Sequence, residues 1–166
     1  MSKLTKMARG AAAAAVLIVS FQASTTALAA DQLSAATSEK FMRTWLSMID
    51  TNAPPVEYLK FLPDGDFEQW SYPNAEIKNV EHLKAYFKKT WGMIKQNKNT
   101  ITDLDVKAEE NGRYKITTNV NWTAITAAGD KLSSPLMYTV TIGSGTSQMD
   151  PNGEHPKVFR YQIKRK

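Results

Sequence analysis

The sequence contains no cysteine among its 166 residues. This absence excludes disulfide bonds, thiol nucleophiles, cysteine-ligated metals and anchoring through a lipidated N-terminal cysteine. Histidine is almost as scarce, because His82 and His155 are the only two and lie too far apart in the chain to form a metal-ligand spacing. We therefore expect no metal site and no cofactor, and a stability that comes from a packed core.

Long apolar runs are also missing, with one short exception near the first residue. Residues 11–21 are uncharged and largely apolar, whereas a helix needs about 20 such residues to cross a bilayer. Three basic residues precede this run, and the small-x-small triplet Ala27-Leu28-Ala29 follows it. This order is typical of a secretory signal peptide. A retained membrane anchor is the alternative, and the shortness of the run disfavours it.

We predict that residues 1–30 are a signal peptide cleaved after Ala29 or Ala30. Residues 31–166 are then expected to form one domain that is periplasmic or secreted and not attached to the membrane. Removing the signal takes away three of the 21 Lys and Arg but none of the 16 Asp and Glu, which leaves 18 basic against 16 acidic residues and a net charge of +2. Without a concentrated basic surface, a nucleic-acid partner is not expected.

Helical spacing of apolar residues dominates the first part of the domain. It predicts a helix over Thr37–Asp50 with Thr37 or Ser38 as N-cap, a short helix that Pro63 ends, and a helix from the N-cap Asn79 to about Gln96. In the rest of the domain apolar and polar residues alternate along the chain, and this pattern predicts strands. These are expected near Phe67–Tyr72, Thr100–Glu109, Arg113–Thr126, Leu132–Gly143 and Lys157–Lys164.

One face of the predicted sheet is apolar and must be covered by the helices. It holds Tyr114, Ile116, Val120, Trp122, Leu136, Tyr138, Val140, Ile142, Phe159, Tyr161 and Ile163. The opposite face of the longest strand is polar, with Lys115, Thr117, Asn119, Asn121 and Thr123, as in an antiparallel sheet with one wet side. The pattern predicts an α+β domain in which N-terminal helices pack on a curved antiparallel sheet.

Five segments carry a resemblance to a known superfamily. They are FMRTWLSMIDTN, VEYLKFLPDGDFEQW, NVEHLKAYFKKTW, SPLMYTVTIG and KVFRYQIKRK. In their order along the chain they resemble the nuclear-transport-factor-two-like superfamily, with its SnoaL-like proteins, ketosteroid isomerase and scytalone dehydratase. The resemblance implies a cystatin-like cone with a deep pocket between the curved sheet and the helices.

The same resemblance directs attention to two kinds of residue. Family enzymes place a carboxylate on the first strand, where this chain has Trp70 or Ser71, so their acid–base set is not reproduced. Asp66 and Glu68 are the nearest carboxylates and are weak catalytic candidates that would need burial to raise their pKa; the alternative is that they cap or solvate a turn. For a ligand, the candidates are aromatic residues that suit a flat or apolar molecule: Trp45, Tyr58, Trp70, Phe87, Trp91, Trp122, Tyr138 and Tyr161. Simple core packing is the alternative for each.

Three functions follow as hypotheses. The first is an exported protein that binds a small apolar or aromatic molecule in an aromatic-lined pocket, without catalysis. The second is an isomerase, dehydratase or cyclase that uses a pocket carboxylate. The third is a non-catalytic module that forms a homodimer through the outer face of the sheet, although the polar side chains of that face disfavour a permanent hydrophobic dimer.

Export is testable directly on the full-length chain. Intact-mass analysis of the protein from the periplasm or medium of a bacterial host is expected to show an N-terminus at Ala30 or Asp31, because cleavage follows the small-x-small site. Leu17→Arg interrupts the apolar run and is expected to leave the precursor uncleaved inside the cell. An exported protein that keeps residues 1–30 would contradict the prediction.

Overall fold

The computed structural model describes residues 33–166, so the predicted signal peptide lies outside the described residues. Within this range the helices are α1 (Ala35–Asp50), α2 (Pro55–Leu59) and α3 (Val80–Met93). The strands are β1 (Gln69–Tyr72), β2 (Ala75–Glu76), β3 (Ile94–Ala108), β4 (Tyr114–Thr126), β5 (Lys131–Gly143) and β6 (Lys157–Arg165). None of the helices in the described residues is long and apolar enough to cross a membrane.

The six strands form one curved sheet in the order β2-β1-β6-β5-β4-β3. The pairs from β3 to β6 are antiparallel, and β1 joins β6 in parallel. Because the sheet does not close, β2 and β3 are its two edges. The three helices cover the apolar face, and the α+β architecture expected from the sequence is confirmed.

Helix α1 begins earlier than the apolar spacing predicts. Its N-cap is Ser34, whose side chain accepts a hydrogen bond from the backbone N–H of Thr37. Thr37 in turn accepts from the backbone N–H of Ser34, which completes a capping box. The expected cap at Thr37 or Ser38 is therefore wrong: Thr37 belongs to the cap as its second partner, and Ser38 is buried inside the helix.

Strand β3 also begins earlier than predicted. Asn79 caps α3 as expected, by accepting from the backbone N–H of His82, but the chain becomes extended at Ile94 rather than near Thr100. Residues 94–99 pair with the end of β4. Their polar side chains hide this pairing from a hydrophobicity pattern, because an edge strand is partly exposed to solvent.

The inner face of the sheet is as predicted in β4 and β5 but not throughout β6. Thr141 pairs with Arg160 while Ile142 pairs with Val158, so Phe159 is the extra residue of a β-bulge. Val158 is fully buried in its place. The Phe159 ring is half-buried and lies under the Arg113 guanidinium, 3.8 Å from its carbon. The assignment of Phe159 to the apolar face is therefore wrong.

The long connection between β5 and β6 is organised by one carboxylate. Asp150 is 5% exposed and accepts hydrogen bonds from the backbone N–H groups of Glu154 and His155, both at 2.9 Å. It also pairs with the ammonium of Lys157, which is 1% exposed and donates to the Lys60 carbonyl at 2.8 Å. Burial opposes ionisation of Asp150, but the Lys157 and backbone hydrogen bonds outweigh it and lower its pKa to about 2.

Asp150→Asn is expected to lower the free energy of unfolding by about 3–5 kcal/mol, because it leaves the buried Lys157 ammonium without a countercharge. Asp105→Asn is the matched control. Its exposed pair with Lys107 at 3.2 Å is worth about 0–1 kcal/mol. Urea titration at pH 7 measures both, and equal effects would contradict the role assigned to Asp150.

The same carboxylate predicts an acid-sensitive stability. Its pKa is lower in the folded chain than the ordinary value of 3.8, so its contribution is present above about pH 4 and is lost as the pH falls toward about 2. Thermal unfolding of Asp150→Asn is expected to lack this part of the acid transition. An unchanged difference in melting temperature between the two proteins from pH 5 to pH 2 would contradict the expectation.

Candidate functional site

The interior of the domain is an aromatic cluster centred on Trp45. This residue of α1 is 0% exposed. Its indole ring lies 5.0 Å from the Tyr58 ring, 6.0 Å from Trp70 and 5.6 Å from Tyr161, measured between centroids. The helices and the sheet are thus in direct contact through large side chains.

Seven of the eight predicted ligand residues belong to this cluster. The Tyr58 ring is tilted against Phe87 at 4.6 Å, Phe87 stacks on Trp91 at 4.6 Å, and Tyr138 meets Tyr161 edge-on at 6.0 Å. Trp122 stands apart, half-buried, and its indole N–H donates to the side chain of Asn97 at 3.0 Å. The cluster also holds aromatic residues that the sequence argument did not select: Phe41, Phe61, Phe67, Tyr72 and Tyr86.

Packing in the cluster is close, and some of its polar atoms have no hydrogen-bond partner among the described residues. Five buried donors have no hydrogen-bond partner among the described residues: the indole N–H groups of Trp45 and Trp70 and the hydroxyls of Tyr58, Tyr72 and Tyr161. Natural proteins leave only a few such groups per hundred residues. All five lie in the interior cluster, where the Trp70 indole is close to the Tyr72 hydroxyl and the Trp45 indole is close to the Tyr161 hydroxyl.

An open groove lies where α1 ends against the sheet. Its volume is about 640 Å³, within the range of about 300–1,000 Å³ common for small-molecule sites. Its walls come from residues 50–52, from 95–98 at the start of β3, from 123–125 at the end of β4 and from 131–133 at the start of β5. None of the eight predicted aromatic residues lines this groove.

Asp50, the last residue of α1, is the titratable group that this groove shares with the interior. Its Oδ1 accepts from the backbone N–H of Asn99 at 2.8 Å and from the Asn99 side-chain amide at 2.6 Å. The Asn99 side-chain oxygen accepts from the Tyr138 hydroxyl at 3.0 Å. A hydrogen-bonded path therefore runs from the groove through Asn99 to the aromatic cluster.

The electrostatics of this path link Asp50 to two tyrosines. Burial raises the pKa of Asp50, and the hydrogen bonds from Asn99 and the charge of Lys98 oppose that shift. Burial also raises the pKa of Tyr58 and of Tyr138, and the Asp50 carboxylate adds to both shifts. A half-buried carboxylate whose pKa is shifted and that lines a groove is a candidate functional residue.

The predicted catalytic carboxylates lie elsewhere. Asp66 is exposed in the turn before β1. Glu68 is at the surface in ion pairs with Arg113 at 2.8 Å and Arg160 at 3.0 Å, and the Arg113 hydrogen bond is the main cause of its lowered pKa. Neither carboxyl is buried, so the condition for catalysis by Asp66 or Glu68 is not met and neither is retained as a candidate.

Neither histidine lines the groove at Asp50. His82 is exposed on the first turn of α3. His155 is half-buried, with its ring edge-on to Phe61 at 5.2 Å and its Nδ1 3.6 Å from the Asp150 carboxylate. Asp150, Glu154 and His155 lie close enough to ligate a cation. The Lys157 ammonium already occupies the Asp150 carboxylate, which disfavours a metal there.

Sequence reasoning missed Asp50 and Asn99. In the sequence Asp50 is typical of a helix end, and Asn99 is typical of a turn after α3. Their hydrogen bond spans 49 residues, so no local pattern reveals it. The one available signal is the polar repeat of Asn97 and Asn99, which places two amides on the same face of an extended segment.

No protein-family model matches the sequence, and no curated protein matches it either. Solved structures do match. A nuclear transport factor 2-like superfamily protein from Salmonella enterica superposes with a TM-score of 0.67 at 9% identity, over 78% of this chain and 89% of that one. The chain has the nuclear-transport-factor-two-like fold. The superfamily resemblance drawn from the sequence is thereby confirmed at the level of fold.

Two further structures share this fold. An uncharacterised protein from Caulobacter vibrioides, described as having a cystatin-like fold, has a TM-score of 0.61 at 12% identity over 79% of this chain and 88% of that one. A protein from Novosphingobium aromaticivorans, provisionally described as a scytalone dehydratase, has a TM-score of 0.64 at 15% identity over 79% and 83%. Identities this low establish the fold and not an activity.

Asp50 yields a testable prediction about pH. Its raised pKa means that ionisation costs more in the folded chain than in the unfolded one, so its favourable contribution is present below the ordinary pKa of 3.8 and is lost as the pH rises through the folded value. Asp50→Asn removes the charge and keeps an oxygen for Asn99. Above pH 6 this variant is expected to be as stable as the parent or more so, in chemical denaturation.

Asp50→Ala is the comparison for this prediction. It leaves the Asn99 amides without an acceptor and is expected to cost about 1–3 kcal/mol. If Asp50→Asn loses as much stability as Asp50→Ala at neutral pH, the charged carboxylate stabilises the folded chain, and the prediction for Asp50→Asn is wrong.

Proposed function

We propose that this chain is an exported protein that binds a small, largely apolar or aromatic molecule in the groove at Asp50, which hydrogen bonds through Asn99 and Tyr138 connect to the aromatic cluster. The observation that carries the proposal is the groove itself: it is open, of ligand size, and joined by Asp50, Asn99 and Tyr138 to the interior. Export rests on the signal-peptide pattern of residues 1–30. The superfamily fold includes ligand-binding members, which supports the proposal.

The groove lining suits an amphipathic molecule. Ala124, Ile125 and Leu132 offer apolar surface, and Leu132 is 40% exposed. The amides of Asn52, Gln96 and Asn97 offer hydrogen bonds, and Lys95, Lys98 and Lys131 bring positive charge to the groove lining. A flat ring with a polar edge would contact both kinds of surface.

Thermal shift of the purified protein against indole, 1-naphthol and 1-naphthoic acid tests the proposal. At a concentration of 100 times Kd a bound probe adds about 2.7 kcal/mol to stability and raises the melting temperature by several degrees. Leu132→Asp is expected to abolish the shift. Met149→Asp is the matched control, because Met149 is equally apolar and 53% exposed but lies outside the groove lining.

Two results would contradict the proposal: no probe shifts the melting temperature, or Leu132→Asp and Met149→Asp respond alike. Native mass spectrometry of the protein purified from its host adds an independent check. A retained small molecule that Leu132→Asp no longer carries would support the groove as the binding site.

A second candidate function is acid–base catalysis with Asp50 in place of Asp66 or Glu68. Both Asn99 hydrogen bonds reach Oδ1 of Asp50, which leaves Oδ2 with no protein hydrogen bond among the described residues. The raised pKa brings the carboxyl nearer to a useful range for a general base. Solvent deuterium exchange next to the carbonyl of a bound ketone, lost in Asp50→Asn, would favour catalysis over binding alone.

A further inference from the structure

A second cavity lies at the opposite end of β4 from the groove at Asp50. Its volume is about 460 Å³, and it is lined by Ala108, Glu109, Glu110, Asn111, Arg113 and Arg160. Four of these six residues are charged. At about 3.3 Å per residue, the chain from Arg113 here to Ala124 in the groove spans roughly 35 Å. The chemistry of this cavity is therefore independent of the proposed function.

The basic side of the cavity is held in place by one carboxylate. Glu68 accepts from both terminal nitrogens of Arg113, at 2.8 and 3.1 Å, and from Nε of Arg160 at 3.0 Å. The Arg113 guanidinium carbon also lies 3.8 Å from the centroid of the Phe159 ring. Because these contacts already order the Arg113 side chain, a ligand would not lose affinity by ordering it.

A glycine in β5 leaves room for this arrangement. A Cβ atom on Gly143 would lie 2.9 Å from the Phe159 ring and 3.1 Å from Cγ of Arg113, which is too close for either side chain to stay where it is. The absence of a side chain at position 143 therefore allows Arg113 to reach Glu68.

The arginine pair keeps an excess of positive charge and free donors. Glu68 is one carboxylate for two guanidiniums, so the three groups together carry a charge of +1. The Arg113 hydrogen bond is the main cause of the lowered pKa of Glu68, which keeps it ionised at neutral pH. Arg160 donates to it only through Nε, and its terminal nitrogens have no hydrogen-bond partner within residues 33–166. Those nitrogens are available to a carboxylate.

The acidic side of the cavity has no such partners. The backbone N–H of Glu109 donates to the Arg113 carbonyl at 2.8 Å, so the two residues lie opposite each other at the end of the β3–β4 hairpin. Opposite charges in such positions usually pair, but the Arg113 side chain extends to Glu68 instead. Neither Glu109 nor Glu110 forms an ion pair with another described residue.

We propose that this cavity binds a small zwitterion, with the carboxylate of the ligand at Arg113 and Arg160 and its ammonium at Glu109 and Glu110. Hydrogen bonds between ionised groups are stronger than those between neutral groups. An anion alone would also meet two unpaired carboxylates, and a cation alone would meet the positive arginine pair. Like charges weaken both of these complexes. A molecule with both groups, such as a free amino acid, meets the opposite charge at each end.

Probes that share a four-carbon chain test the proposal: 4-aminobutanoate carries both charges, butanoate only the carboxylate, and butylamine only the ammonium. Glycine and 6-aminohexanoate place the two charges closer together and farther apart. NMR titration of the ¹⁵N-labelled protein at low ionic strength, where charges are least screened, gives the dissociation constants. We expect at least one zwitterion to bind at least about tenfold more tightly than butanoate and butylamine, with shifts at the amides of residues 109–113.

Three variants separate the two ends of the ligand. Arg160→Gln is expected to weaken zwitterion binding about tenfold and to leave butylamine unchanged, because Arg113 keeps both of its bonds to Glu68. Glu109→Gln is expected to weaken the zwitterion by a similar factor and to leave butanoate unchanged or tighter. Arg43→Gln is the matched control, since Arg43 is an exposed arginine in an ion pair on α1 and lies outside the cavity lining.

The outcomes distinguish this inference from the proposed function. If butanoate or butylamine binds as tightly as every zwitterion, the cavity recognises a single charge and the inference is wrong. It is also wrong if the shifts fall on residues 123–125 and 131–133 of the groove, or if Arg43→Gln weakens binding as much as Arg160→Gln. If none of the five probes binds, the inference fails, whereas the groove proposal still depends on its own aromatic probes and on Leu132→Asp.

Discussion

The contacts of one indole ring hold this domain together. Trp45 reaches from α1 to Tyr58 in α2, to Trp70 in β1 and to Tyr161 in β6, with ring centroids 5.0–6.0 Å apart. In a chain without cysteine no covalent link replaces this contact. Each aromatic pair adds about 0.5–1.5 kcal/mol beyond the apolar area it buries. The curvature of the sheet and the position of the helices over it therefore depend on the same large side chains.

Sequence patterns were most informative where structure is local. The alternation in β4 and β5 identifies the buried face, because Ile116, Val120, Leu136 and Val140 all lie on it with 0–7% exposure. The pattern fails at Phe159, since a bulge shifts the inward position to Val158. A bulge depends on how two strands pair, and the sequence of one strand alone does not determine that pairing.

In the candidate site, too, local features could be predicted from the sequence and contacts between distant segments could not. Aromatic residues could be selected from composition because large rings are almost always drawn into a core of this kind. Asp50 could not be selected, because its hydrogen bond with Asn99 joins residues that lie 49 positions apart in the chain. Glu68 was chosen for its place in the chain, but Arg113 and Arg160, which β4 and β6 bring beside it, turn it into a surface ion-pair residue.

The position of β6 in the sheet affects the order in which the strands can pair during folding. Although β6 is the last strand described, it lies between β5 and β1, and it alone joins the short β1–β2 hairpin to the long antiparallel strands. β3, β4 and β5 can pair with one another in chain order, but β1 has no neighbour in the meander until β6 is in place. Contacts between such distant segments form slowly. Until β6 pairs, β5 has an unpaired backbone edge, and such an edge is the kind to which another chain can add a strand.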